Sequence, residues 1–301
     1  MVSVLITCFV PSKNYLKIKQ YDPPHPQANL DNYRSRHIAL PAFNIDCFAT
    51  YQAVEAVVGQ LHLPCIVQLS AGQDQFVQAE RLLMLVKKAQ IDGLPIYTNI
   101  DHGQNVSRLE QLIRLGFDMV HFDGSHFAYQ ENLSISQLLV QKVRQISPQA
   151  LIEVEFDQIN PIQKGTDASR FTDPKQAKEF IQKTKADLLA ISVGNLHGVD
   201  INHPENINTD LLIQIQKSIP TTFLVMHGGS GIDPGQLDTA ITTGIVKINI
   251  NTDLRLAFKQ SLKDSLASTE SLKAYQYFQP VIDDISKIIS QKLTKFTNCE
   301  N

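Results

Sequence analysis

The four cysteines of this 301-residue chain (Cys8, Cys47, Cys65, Cys299) stand far apart, and none forms a CxxC pair. That excludes a disulfide-stapled small domain and a cysteine-rich metal ribbon, and it fits a reduced, cytoplasmic protein. Excess charge is missing as well. The formal net charge is −3, acidic and basic residues are mixed along the chain, and no basic stripe or polybasic patch stands out. Nucleic acid and membrane surfaces are thereby excluded as partners. Long apolar runs are absent too. The opening "MVSVLITCFV" is far too short to cross a bilayer and lacks a basic leader and a small-residue cleavage site, so it reads as a structural edge element. No linker or low-complexity tract divides residues 1–301, which predicts one domain.

What the chain does have is alternation. With 43% hydrophobic and 19% charged residues it can bury a full core. From residue 37 onward, short β-prone runs alternate with stretches of helical period. There are eight runs: "IALPAFNI" (38–45), "PCIVQLS" (64–70), "LPIYTNI" (94–100), "DMVHFD" (118–123), "ALIEVEF" (150–156), "DLLAISVG" (187–194), "TFLVMHG" (222–228) and "IVKINI" (245–250). Between them, "VQAERLLMLVKKAQ", "SRLEQLIRLG" and "DPKQAKEFIQKTK" space apolar residues three and four apart, as amphipathic helices do. Eight β/α repeats predict an α/β fold of the (β/α)8 TIM-barrel type over residues 37–301 rather than a doubly wound sheet. Residues 1–36, rich in proline and asparagine around "YDPPHPQANLDNY", read as an irregular arm over one barrel end, and "VIDDISKIISQKLTKF" reads as a closing helix.

Active sites of such barrels lie at the carboxyl ends of the strands. Unusual polar residues gather there: Asn44, Gln68 and Ser70, Asp101 and His102, Asp123, Ser125 and His126, His197, His227, and Asn249, Asn251 and Thr252. Glu153 and Glu155, two apart, share one strand face. Three histidines at three strand ends leave two readings open: a zinc site of His102, His197 and His227 with an open fourth position, or separately hydrogen-bonded surface groups. Two neighbouring segments suit a phosphate. The glycines of "HGGSGI" (227–232) let backbone amides approach an anion closely, and "NINTD" (249–253) adds amide and hydroxyl donors.

The blocks "PAFNID", "VQLSAG", "IDHG", "FDGSH", "EVE", "TDPKQAKEF", "HG" at 197–198, "HGGSGI" and "KININTDLRLAF", spread over roughly residues 38–301, resemble the class II metal-dependent ketose-bisphosphate aldolases. The resemblance implies reversible cleavage of fructose 1,6- or tagatose 1,6-bisphosphate to dihydroxyacetone phosphate and glyceraldehyde 3-phosphate, as in glycolysis. It implies Asp101 as the acid/base at the C4 oxygen, and His102, His197 and His227 on Zn2+, with Glu155 available for an alternative metal placement. Asn44, Ser70, Gly198, Gly228, Gly229, Ser230, Asn249, Ile250, Asn251 and Thr252 would bind substrate. Arg255 resembles the arginine that reaches a neighbouring subunit's substrate, which implies a homodimer or homotetramer. A monovalent cation, Na+ or K+, near Gly198 and Gly228 is also implied.

Three positions depart from the family pattern. Asn99 replaces the first histidine of His-x-Asp-His. The segment after "EVE" reads "FDQINPIQKGTDASRF", without the usual glycine pair and with Asp157 and Asp167 as its only carboxylates. Asn251 stands where fructose- and tagatose-specific members often carry Asp and Ala. The altered loop keeps two alternatives open: a different phosphorylated substrate, or a non-catalytic binder of sugar phosphate and zinc. Other polar residues have plain readings. His121 and His126 pack or hydrogen-bond near the barrel mouth, and His25, His37, His62 and His203 have no assigned role. Glu153 either salt-bridges inside the barrel or serves the site. Lys247 would suit a Schiff-base aldolase, but the histidines would then be idle.

Overall fold

The apolar runs become strands because parallel strands in a barrel are buried on both faces and so need no alternation of polar residues. The computed structural model describes residues 25–157, 160–161, 171–197 and 206–297. The opening apolar run and most of the 156–171 loop, including Asp167, lie outside them. The strands are β1 (Leu40–Asn44), β2 (Cys65–Leu69), β3 (Ile96–Ile100), β4 (Met119–Asp123), β5 (Leu151–Glu155), β6 (Asn160–Pro161), β7 (Leu188–Ala190), β8 (Leu196–His197), β9 (Phe223–Met226) and β10 (Ile245–Ile250). Eight of them form one parallel sheet in the order β3-β2-β1-β10-β9-β7-β5-β4, while β6 and β8 pair separately. The sheet curls into a nearly closed (β/α)8 barrel, as the alternation predicts.

Helices α1 (Pro26–Arg36), α2 (Phe48–Leu61), α3 (Ala71–Val77), α4 (Ala79–Ile91), α5 (Val106–Leu115), α6 (Tyr129–Ile146), α7 (Pro174–Thr184), α8 (Thr209–Ser218), α9 (Pro234–Thr243), α10 (Thr252–Ser268) and α11 (Ala274–Thr297) complete the described elements. Local chemistry sets their ends. In α7 the Asp173 carboxylate accepts from the Lys175 and Gln176 amides, Pro174 opens the first turn, and Ala177, Phe180 and Thr184 are buried. In α5 the Asn105 side chain caps the start and Gly116, at φ +103°, the end.

Helix α1 corrects the expectation of an irregular arm over residues 1–36. Residues 26–36 do cover one barrel end, but as a helix: Pro26 presets its first turn and His25 accepts from the Gln27 amide. Leu30 and Tyr33, one turn apart, plug the barrel floor, and Asn29 donates to the Tyr97 hydroxyl at 2.7 Å. The other side chains are mostly polar, so the segment carries too short an apolar stripe to announce itself.

Two layers fill the barrel. The lower one is apolar, with Leu40, Ile66, Met119, Leu151, Phe223 and Val225 meeting the α1 plug. Further along the inward positions, the buried residues turn polar: Asn44, Gln68, His121, Glu153 and His227. Strand β10 joins both layers through a register shift. Its pairing with β9 jumps from Ile245↔Leu224 to Lys247↔Val225, so Val246 is an extra residue that joins the apolar layer while Lys247 still reaches inward.

Closure between β3 and β4 is of a different kind from the other seams. A single bridge joins Gly103 to Phe122, through Gly103 N–H to His121 O and Asp123 N–H to Gly103 O, each 3.0 Å. Below it, the Asp118 carboxylate accepts from the Thr98 amide and hydroxyl, and the Thr98 hydroxyl accepts from the Asp118 amide. No helix among the described residues is long and apolar enough to cross a membrane.

Candidate active site

A cavity of about 380 Å³ opens at the carboxyl ends of the strands. Asn44, Ser70, Asp101, His102, His227, Gly228, Ser230, Asn249, Asn251, Thr252 and Arg255 line it, so residues from five βα junctions meet at one place. Two of the expected substrate-binding residues do not line it. Ile250 is wholly buried in the core outside the barrel, and Gly229 donates its amide to Asn249 O at 3.2 Å. Gly198 lies outside the described residues, as does the side chain of His197.

The two described strand-end histidines converge. His227 Nδ1 and His102 Nε2 are 3.1 Å apart. The other nitrogen of each ring faces a carboxylate: His227 Nε2 lies 2.9 Å from Glu153, and His102 Nδ1 3.3 Å from Asp123. A ring that donates one N–H to a carboxylate presents a lone pair on its other nitrogen. Two lone pairs facing each other at this distance require a proton or a cation between them. With a proton, His102 takes it: burial alone lowers its pKa, but Asp101, Asp123 and Glu155 raise it to about 9. Burial, together with the His102 charge, takes His227 down to about 3, so it stays a neutral acceptor.

Glu155, placed on the same strand face as Glu153 by their spacing, has Oε2 3.7 Å from His102 Nδ1 and 3.9 Å from His227 Nδ1. Its buried Oε2 has no hydrogen-bond partner, and burial raises its pKa. Two convergent imidazoles, a carboxylate with an unsatisfied buried oxygen, and a second carboxylate nearby make a donor set that fits a divalent cation of the zinc type.

Asp101 is buried beside this set. Burial pushes its carboxyl up, but His102, His121, His227 and Lys247 together hold it well below the usual range, so it rests as a carboxylate. Each oxygen accepts from an amide: Oδ1 from Asn249 Nδ2 at 2.9 Å and Oδ2 from Asn44 Nδ2 at 3.1 Å. Gln68 orients Asn44, and Asn99 donates to Gln68 in turn, which gives the departure from His-x-Asp-His a definite place in the network. Lys247 donates to Glu153 at 2.8 Å and to Asn249 at 2.7 Å, linking the support of His227 to that of Asp101.

Gly228, Ser230, Asn251 and Thr252 line the same cavity. Gly228 has φ +77°, and a Cβ there would sit 1.9 Å from Leu196 O, so only glycine lets the loop approach β8 this closely. Beyond it, Asn251 is the N-cap of α10 and Thr252 its first residue, which puts the start of that helix at the cleft. Arg255 lines its own chain's cavity at the rim, with Asp46 holding its guanidinium through bonds of 2.9 and 3.1 Å. Asp157, at the root of the altered loop, has its carboxyl raised to about 7 by burial, against the pull of its bond to Thr172.

His121, expected from sequence to pack or hydrogen-bond near the barrel mouth, does hydrogen-bond there, but within the site itself. It lies mid-run on β4, wholly buried, in a cluster with Asp101, His102 and His227. Its parity was the available signal: two residues before Asp123, it faces inward as Glu153 does relative to Glu155. His126 stays outside this cluster and packs its ring on Phe127.

Comparison with known proteins agrees with this geometry. The model of the family described as fructose-bisphosphate aldolase class-II matches residues 26–301. A curated relative, the fructose-bisphosphate aldolase of Mycoplasma pneumoniae (strain ATCC 29342 / M129 / Subtype 1), is 29% identical over 251 residues, covering 82% of this chain and 85% of its own. The crystal structure of the YdjI aldolase from Escherichia coli K12 matches with a TM-score of 0.79 at 25% identity, covering 90% of this chain and 96% of that one. A fructose-bisphosphate aldolase structure from Campylobacter jejuni shares the fold, with a TM-score of 0.74 at 19% identity over 91% of this chain and 94% of its own. The chain belongs to the class II fructose-bisphosphate aldolase family and is an aldolase, a carbon–carbon lyase.

Proposed function

We propose that the protein is a zinc-dependent aldolase that reversibly cleaves a ketose 1,6-bisphosphate, fructose or tagatose, to dihydroxyacetone phosphate and glyceraldehyde 3-phosphate. The observation that carries this is the convergence of His102 Nε2 and His227 Nδ1, 3.1 Å apart beside an ionised Asp101. His102 and His227 would hold the cation, with His197 as the third imidazole by family resemblance and Glu155 as a further donor. When bound, it supplies Lewis-acid stabilisation of the negative charge that C3–C4 cleavage leaves on the triose.

The chain's own groups do the rest. Asp101 takes the C4 hydroxyl proton in cleavage and returns it in condensation. Asn44 and Asn249, each donating to one of its oxygens, fix the carboxylate's orientation. Gly228, Ser230 and the start of α10 bind the phosphate of the dihydroxyacetone half, with a Na+ or K+ ion near the Gly228 backbone. Arg255, at the rim of the same cleft, suits the distal phosphate of a bisphosphate and carries the specificity for one. Lys247 is no Schiff-base nucleophile, because its Nζ is committed as a donor to Glu153 and Asn249. Sugar bisphosphates are intracellular metabolites, which places the enzyme in the cytoplasm.

The test is a coupled assay of triose phosphate release from both bisphosphates, with EDTA and then with zinc restored. Activity lost in EDTA and recovered with zinc is expected. Zinc-loaded protein that cleaves neither substrate would retire this reading.

A further inference from the structure

We infer that His121 is a positioning residue that clamps the turn carrying His102 and so sets the direction in which His102 Nε2 enters the cleft. The inference rests on the metal reading above and adds a residue to it. His121 grips that turn at two points. Its ring Nδ1 accepts the His102 amide at 3.0 Å, and its backbone carbonyl accepts the Gly103 amide at 3.0 Å. The grip has a strained object. His102 has φ +52°, a left-handed conformation that a residue with a side chain adopts only when its surroundings hold it there. Gly103 lets the approach be this close, since a Cβ on it would lie 2.9 Å from His121 O.

The same bond settles what the ring does with its other nitrogen. A nitrogen that accepts an amide hydrogen has no lone pair left for a cation, and the ring's own hydrogen then sits on Nε2. Nε2 lies 3.3 Å from Glu155 Oε2, so the ring stands between the His102 backbone and the Glu155 carboxylate. His121 is wholly buried and is not among the residues that line the cavity, so it does not reach substrate; its Nδ1 also lies 3.6 Å from Asp101 Oδ1, but the hydrogen bond it accepts comes from the His102 turn. It acts through His102.

Three substitutions separate these contacts. In His121→Asn the side-chain oxygen occupies the place of Nδ1 and still accepts the His102 amide. In His121→Gln the amide reaches the place of Nε2 instead, and His121→Phe fills the volume with neither. Zinc affinity is measured by competition with a chromophoric chelator, alongside kcat, KM and the thermal midpoint. The expected result is a loss of zinc affinity of about 10- to 100-fold in His121→Phe, with kcat falling more than KM changes. His121→Asn recovers most of both, and His121→Gln does not.

A folded His121→Phe protein with wild-type zinc affinity and kcat overturns the inference. So does recovery by Gln and not Asn, which would move the role to the Glu155 contact. If the Phe variant does not fold, the contrast between Asn and Gln carries the test. Zinc-edge X-ray absorption on the wild type and His121→Asn is expected to show the same number of imidazole ligands, and loss of one would make His121 a ligand. Wild-type protein that takes up no zinc overturns the metal reading itself, and the Asn variant's kcat against that of the Phe variant then decides the role of His121 alone.

Discussion

The floor and the mouth of the barrel use the same strands and the same inward alternate positions, yet they are filled by opposite chemistry. On β4 the inward series runs Met119, His121, Asp123, on β5 Leu151, Glu153, Glu155, and on β9 Phe223, Val225, then His227 just past the strand. Below, apolar side chains from the strands and α1 make a dry plug whose cohesion needs no partner-by-partner matching. Above, charged groups are buried, and two of them are tolerated because neighbours answer them: Glu153 between Lys247 and His227, Asp101 between Asn44 and Asn249. A fold gains little from burying such a layer, so its presence marks where stability has been given up for chemistry.

The contrast can be broken most strongly at Asp101. Asp101→Asn keeps the shape of the polar layer and removes its proton acceptor, and kcat/KM is expected to fall by about 10²- to 10⁴-fold, measured in the coupled assay. Unchanged turnover would detach the polar layer from the reaction. Next comes Lys247→Met, which strands Glu153 as an uncompensated buried charge and is expected to cost about 3–5 kcal/mol in urea unfolding. Adding Glu153→Gln to that variant removes the charge and is expected to restore much of the loss. A double variant no more stable than the single one would show that the layer is held by something other than pairing. The smallest effect belongs to the floor: Ile66→Val is expected to cost about 0.5–1.5 kcal/mol and to leave kcat unchanged. A clear fall in kcat there would mean that the two layers are coupled.

The fold was legible because burial on both faces leaves an unbroken apolar run, and all eight runs contain a barrel strand within their bounds. Helix α1 was not, since its hold on the barrel rests mainly on Leu30 and Tyr33 amid polar residues. Most of the cavity lining could be named from strand ends alone, because a barrel fixes which end is functional. His121 was read only as packing or hydrogen-bonding near the mouth, because a histidine between Val120 and Phe122 looks like part of a core run and only its parity with Asp123 points it into the site. The extra residue at Val246 is invisible in sequence, since a bulge is a relation between two strands; without it the inward reach of Lys247 cannot be derived. Arg255 lies on a helix after the last strand, and its place at the cavity rim beside Asp46 follows from how α10 docks rather than from any strand-end pattern.

The join between β3 and β4 gives the molecule a preferred place to breathe. Regular ladders link every other neighbouring pair in the barrel, including β1 with β10, which ties the early part of the chain to the late part. The remaining seam is stitched by one bridge, the Thr98–Asp118 pair and the contacts of His102 with the His121 and Asp123 side chains. Local opening follows the least-bonded path, well below the free energy of global unfolding. One lip of that opening carries Asp101 and His102, and the other carries His121 and Asp123. Gentle heat or dilute denaturant is therefore expected to part His102 from His121 and Asp123, the groups that orient it, while the remaining ladders are intact, so that loss of activity precedes loss of far-UV circular dichroism.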